Sequence, residues 1–143
     1  MGFDRSHSAT YLAGQLAKGF ARSLQKRAIS LGFSPGQFPV LLELWQEDGL
    51  TQKQLLDKLE VEQATLANTL SRMERDGLIA RTPHPTDRRA QIIMLTPLGR
   101  ELEAKAVQAA ADADDALFSG FRRFEQELMI EYMRMIVENA RKL

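Results

Sequence analysis

The 143-residue sequence contains no cysteine, a single tryptophan and only two histidines. Without cysteine there is no disulfide, no thiolate metal site and no thiol redox sensor. His7 and His84 stand apart, one near the N-terminus and one in an arginine-bearing segment, and neither has carboxylates at a metal-ligand spacing. No metal site and no cofactor are expected. A Ser/His/Asp set, a P-loop and a glycine-rich phosphate loop are all missing, so the chain is not expected to be an enzyme. No run approaches the roughly 18 uncharged apolar residues of a membrane helix. No charged region followed by an apolar stretch opens the chain, so a cytoplasmic protein with no membrane partner is expected. The opening MGFDRS fits the loose myristoylation pattern through Gly2 and Ser6, but nothing polybasic follows it.

Net charge is also missing: 19 Lys and Arg balance 19 Asp and Glu. The distribution is uneven. Residues 1–62 carry seven of each sign, residues 63–100 carry six cations against three anions, and residues 101–143 carry six against nine. All six cations of the middle segment are arginines: Arg72, Arg75, Arg81, Arg88, Arg89 and Arg100. A local excess of this kind matters more than the total for a nucleic-acid footprint.

What is present is helical periodicity. Leu12, Leu16, Phe20, Leu24, Ala28 and Leu31 form one apolar stripe over residues 8–31. Ser34–Pro35–Gly36–Gln37 predicts a helix start, with Ser34 as N-cap, Pro35 at the first helical position and Gln37 closing a capping box. That helix, Pro35–Glu47, is expected to turn Phe38, Leu41, Leu42 and Trp45 to the core and to end at Asp48–Gly49. Phe33, Phe38 and Trp45 lie near this junction, where packing or the lining of a small apolar pocket are both open to them. Thr96–Pro97 predicts a further helix running through the alanine-rich segment to Leu117, where small side chains permit close helix approach. Gly120 breaks it. A last helix, from about Arg123 to Arg141, repeats Leu128, Tyr132, Met135 and Ile136.

The most informative stretch is Thr51 to Thr96. A helix capped by Thr51 with Gln54 runs to Leu59, a tight turn follows at Glu60–Glu62, and a second helix occupies Gln63–Asp76 before Gly77 stops it. Strand-like runs Leu78–Thr82 and Gln91–Leu95 flank a tip, His84–Arg89. Two helices joined by a short turn form the unit whose second helix fits the major groove. At about 100° per residue, Leu66, Leu70 and Met73 share the buried side of that helix. The opposite side holds Ala64, Asn68, Ser71, Arg72 and Arg75, flanked by Thr65 and Thr69, and Gln63, Thr65, Asn68, Thr69 and Arg72 are of the types that read base edges. At the tip, Pro83 and Pro85 stiffen the backbone, Arg88 and Arg89 supply paired cations, and Asp87 is placed to hold a guanidinium by a bidentate bond. A narrow minor groove attracts such an arginine.

These residues resemble the MarR family of multiple-antibiotic-resistance-type regulators. The likeness rests on the junction ME-x-DGLI-x-R (Met73 to Arg81), the tip Asp87-x-Arg89 and the ending LT-x-x-G (Leu95 to Gly99), and it spans nearly the whole chain. It implies a triangular homodimer joined through its terminal helices and carrying two winged-helix lobes. It also implies that Arg89 enters the minor groove, oriented by Asp87. Members usually repress genes and leave DNA when a small molecule, often a phenolic or aromatic carboxylate, binds between the dimer and DNA-binding regions. The cysteine-based peroxide-sensing branch needs a thiol that this chain lacks, and zinc-sensing members need more histidine and carboxylate ligands.

The expected fold is mainly α with a small β wing: a winged helix-turn-helix core at residues 34–96, flanked by dimerisation helices at 1–33 and 97–143. The expected function is sequence-specific regulation of transcription on a pseudo-palindromic double-stranded operator, with a small-molecule effector whose binding residues are not assigned. The alternative is a winged-helix protein-interaction module that does not bind DNA. Both terminal stripes lack an obvious partner within a compact winged helix, which points to a second copy of the chain.

Overall fold

Side-chain caps set several of the helix boundaries in the computed structural model, which describes residues 2–143. Asp4 caps a short 3-10 turn at Arg5–His7. The Ser8 side chain accepts from the Tyr11 amide at the start of α1 (Ala9–Ala28), which ends in a second 3-10 turn, Ile29–Leu31. After α2 (Phe38–Gln46) and the two-residue strand β1 (Leu50–Thr51), helix α3 (Gln52–Leu59) opens with the expected capping box. Thr51 Oγ1 accepts from the Gln54 amide at 3.1 Å, and Gln54 Oε1 accepts from the Thr51 amide at 2.8 Å. Helix α4 (Gln63–Arg75) ends in a Schellman closure: the Leu78 amide donates to the Met73 carbonyl at 2.9 Å and the Gly77 amide to the Glu74 carbonyl at 3.1 Å. Gly77 takes φ +78°, which a side chain would strain.

Strands β2 (Ile79–Pro83) and β3 (Gln91–Leu95) form the wing, with Ile79 opposite Leu95 and Pro83 opposite Gln91. β1 pairs on the other edge of β3, giving the order β1-β3-β2. A strand of two residues shows no periodicity, and none was expected at Leu50–Thr51. Thr96 caps α5 (Pro97–Glu101); the chain then turns at Leu102 into α6 (Glu103–Leu117), passes Gly120 and finishes with α7 (Arg123–Arg141).

The start of α2 departs from expectation. Residues 34–37 form a turn closed by Gln37 amide to Ser34 carbonyl (3.0 Å) and Phe38 amide to Pro35 carbonyl (3.3 Å), and helix begins only at Phe38. The reason lies in Pro39. It has no N–H to give the Pro35 carbonyl, so an α-turn cannot start at Pro35. Only half of the capping box forms, with Gln37 Oε1 accepting from the Ser34 amide at 3.0 Å. Val40, Leu41 and Leu44 are buried, whereas Leu42 is exposed.

The core runs from Leu41, Leu44 and Leu50 through Leu55, Leu66, Leu70 and Met73 to Leu78 and Ile93, all fully buried. α1 and α6 extend it: Leu24 and Ala28 meet Ala106, Ala109 and Ala113, and Ser23 Oγ donates to the Ala113 carbonyl at 2.8 Å. The second half of the α1 stripe therefore has a partner within the chain. Its first half, Leu12 and Leu16, stays exposed along an open groove, and α7 buries no residue at all. Among the described residues no helix is long and apolar enough to cross a membrane.

Candidate nucleic-acid interface

Leu66, Leu70 and Met73 seat α4 on the core and turn its other side outward. Gln63, Ala64, Thr65, Asn68, Arg72 and Arg75 are exposed, with Thr69 half-buried among them. Thr69 Oγ1 donates to the Thr65 carbonyl at 2.9 Å, so this hydroxyl has only lone pairs to offer a base edge. Arg75 Nε donates to Asp76 Oδ1 at 3.2 Å. Among the described residues Arg72 forms no ion pair, which leaves its five N–H donors free.

The wing tip lies beyond β2 and β3. Arg89 has 95% of its side chain exposed. The bidentate bond to a guanidinium expected of Asp87 does not form; Arg89 Nε stands 3.9 Å from Asp87 Oδ1, a long single ion-pair contact. Asp87 Oδ1 instead accepts from the Arg89 backbone amide at 3.0 Å, and the Ala90 amide donates to the Asp87 carbonyl at 3.2 Å. Short side-chain-to-backbone bonds of this kind fold the tip beneath the guanidinium. Arg88 is exposed beside it.

Two of the six arginines counted toward a positive footprint serve structure instead. Arg81 is only 19% exposed; it donates to Ser71 Oγ at 3.2 Å and lies 3.6 Å from Glu74 Oε1, tying β2 to the exposed flank of α4. Arg100 donates to Asp48 Oδ2 at 3.0 Å. Arg100 stays exposed but is paired with Asp48, whereas Arg72, Arg75, Arg88 and Arg89 are exposed on α4 or the wing tip.

Three contacts fix the wing relative to α4, and none was visible as a site in the sequence. Asp48 Oδ1 accepts from both the Gly49 and Leu95 amides at 2.9 Å, fastening the end of β3. Thr96 Oγ1 donates to the Gly77 carbonyl at 2.6 Å while accepting from the Gly99 amide at 3.1 Å, so one hydroxyl joins the stop of α4 to the start of α5. Gly99 packs against β2's entry so closely that an added Cβ would stand 2.3 Å from the Leu78 carbonyl oxygen. Trp45 Nε1 donates to the Gly99 carbonyl at 2.9 Å, and Phe33, Phe38 and Trp45 stack in series with centroids about 6 Å apart. These three rings pack on one another.

A two-helix reading unit with a free polar face, followed by an arginine-tipped ribbon, can now be set beside known proteins. A family model described as MarR family matches residues 33–90. The transcriptional regulator HosA of Escherichia coli O111:H- is 30% identical over 101 residues, which are 71% of this chain and 75% of HosA. The chain belongs to the MarR family. A MarR transcriptional regulator from Methanosarcina mazei Go1 superposes with a TM-score of 0.80 at 28% identity, over 90% of this chain and 93% of its own. BpsR of Bordetella bronchiseptica, whose DNA binding is regulated by 6-hydroxynicotinic acid, shares the fold with a TM-score of 0.82 at 22% identity, over 96% of this chain and 98% of its own. This MarR-family protein is thus a DNA-binding transcriptional regulator, and its relatives are regulators rather than enzymes. That membership decides against the module that binds protein but not DNA.

Proposed function

We propose that this MarR-family regulator acts as a homodimer on a pseudo-palindromic operator, represses transcription there, and is released by a small phenolic or aromatic carboxylate. Residues 34–96 are the reading unit, and residues 1–33 and 97–143 carry the dimer interface. The observation that carries the DNA reading is the unpaired Arg72 on the exposed face of α4, on the same unit as the outward-facing Arg89 of the wing. Gln63, Ala64, Thr65, Asn68, Thr69 and Arg72 face the base edges of the major groove, with Arg75 toward phosphate. Arg88 and Arg89 lie against the minor groove and its phosphates, and Asp87 holds the tip in shape.

The dimer is supported by the apolar surface left over when one chain folds. Leu128, Tyr132, Met135 and Ile136 on α7 are 46–65% exposed, and Leu12 and Leu16 on α1 are each 41% exposed. Phe20, Phe118, Met129 and Met133 line a groove continuous with them. A patch of this kind marks an interaction site, and a two-fold axis through the terminal helices gives two copies of α4 for two half-sites. The effector class is supported by the 6-hydroxynicotinic acid that regulates BpsR. Footprinting on the DNA flanking the protein's own gene tests the reading. Two symmetric half-sites with centres about 10–10.5 bp or a multiple apart are expected, with protection lost on adding 6-hydroxynicotinic acid or a benzoate. Protection of one isolated, asymmetric half-site at saturation would contradict it.

A further inference from the structure

The wing tip is folded around one ring nitrogen. His84 Nδ1 lies 3.1 Å from the Thr86 amide nitrogen and 3.0 Å from the Asp87 amide nitrogen, with Thr86 Oγ1 at 3.3 Å. Two backbone N–H groups therefore converge on the same atom. A backbone amide can only donate, so Nδ1 must carry its lone pair, and the ring must be neutral with its proton on Nε2. The His84 amide donates to the Ala90 carbonyl at 3.2 Å, which anchors the residue at the mouth of the tip. The next bond along is the one from the Arg89 amide to Asp87 Oδ1, at 3.0 Å. The order is thus His84 holding Thr86 and Asp87, and Asp87 holding Arg89.

We infer that His84 is the positioning residue of the wing: its unprotonated Nδ1 fixes the Asp87 backbone, and through it the direction of the Arg89 side chain toward DNA. The inference rests on the proposed role of the wing in DNA binding and adds to it a residue, an atom and a protonation state. A protonated ring would point an N–H at two other N–H groups, with only Thr86 Oγ1 at 3.3 Å able to accept from it; both amide bonds to Nδ1 would be lost and the tip would have to open. The charged groups of the tip are Asp87, Arg88 and Arg89, and no ion pair or hydrogen bond joins the His84 ring to a charged side chain among the described residues. The effect on DNA is opposite in sign to simple electrostatics. An added positive charge beside phosphates should tighten binding, whereas opening the tip should weaken it.

Two substitutions separate these effects. His84→Asn keeps a neutral acceptor that does not titrate, and asparagine readily accepts from the amide two residues on. His84→Lys supplies a permanent cation and no acceptor. The free proteins are followed by amide and imidazole nitrogen NMR from about pH 8 to about pH 5.5, the window in which histidine changes charge. Affinity is then measured on a duplex selected from a random pool by the wild-type protein, with Arg89→Ala as a reference. The wild type is expected to show the Nε2–H tautomer at the upper pH. Its Thr86 and Asp87 amides should be protected there and lose protection together as the ring titrates. His84→Asn should hold that protection across the range, and His84→Lys should lack it throughout and bind roughly three- to tenfold more weakly, the scale of two exposed hydrogen bonds. A proton on Nδ1 at the upper pH, or Thr86 and Asp87 amides that ignore the ring's titration, would overturn the inference. So would His84→Lys binding as tightly as wild type while Arg89→Ala binds weakly. If Arg89→Ala also binds as wild type, the wing's role in DNA binding is what fails.

Discussion

Gln37 and Asp76 are joined across the fold: Gln37 Nε2 donates to Asp76 Oδ2 at 3.0 Å, while Gln37 Oε1 accepts from the Ser34 amide at 3.0 Å. Gln37 is only 3% exposed, and Asp76 is the C-cap of α4. One buried amide thus pins the end of the reading helix to the turn that leads out of α1. Gln37→Ala removes both bonds and leaves their partners under-satisfied. It should cost about 1–3 kcal/mol of stability, measured by urea unfolding.

The same pair makes stability depend on acid. The hydrogen bond from Gln37 is the main cause holding the Asp76 carboxyl below its ordinary value; burial opposes it, and Arg75 adds a lesser lowering. A carboxylate depressed in the folded state stabilises above the unfolded value, about 3.9, and that contribution disappears as pH falls through the lower folded value. Asp76→Ala should therefore be less stable than wild type at neutral pH, and the gap should narrow on acidification to about pH 3 or below. A constant gap between the two unfolding curves would show that the carboxylate's charge is not what matters. Solvent exposure keeps the effect modest.

Gly99 has no room for a side chain, because the atom its Cβ would meet at 2.3 Å is a backbone oxygen, that of Leu78. Gly99→Ala must push β2 and α5 apart. A loss of about 2–3 kcal/mol is expected, the upper part of the range for overpacking, and it should appear as a lowered thermal midpoint. Leu98→Ala at the neighbouring exposed position should change little.

The exposed stripe of α7 gives the test of assembly. Leu128→Glu combined with Ile136→Glu places charges on that surface without touching the core of one chain. Sedimentation should report a dimer for the wild type and a folded or partly folded monomer for the double variant. A dimer retained by the variant would move the interface elsewhere.

Much of the reading unit was legible because its signals are local. Thr51 with Gln54, Gly77 after Asp76 and Thr96 with Pro97 each fix a boundary through atoms a few residues apart, and the i, i+4, i+7 set Leu66, Leu70 and Met73 fixes which face is free. What was not legible depends on residues far apart in sequence. Gln37 reads as a capping residue but bonds 39 positions away, and Asp48 reads as a turn residue but fastens Leu95 and Arg100. Arg81 and Arg100 count as free cations until their partners Glu74 and Asp48 are seen. Leu42 was placed inside on spacing alone, but the buried side of α2 is centred on Val40, Leu41 and Leu44, which only the packing of the other elements decides. The α1 stripe was read as unpartnered along its length, although periodicity alone cannot say that α6 covers its second half.

The most direct measurement is operator affinity of the wild type, Arg72→Ala and Arg89→Ala at several salt concentrations, on matched duplexes that differ at single base pairs. If α4 reads base edges and the wing follows the minor groove and phosphates, the two losses differ in kind. Arg72→Ala should cost about 1–3 kcal/mol and relax preference at one base position per half-site. Arg89→Ala should weaken all duplexes alike and lower the slope of log affinity against log salt. Wild-type affinity, wild-type base preference and wild-type salt slope in both variants would contradict DNA reading through α4 and the wing.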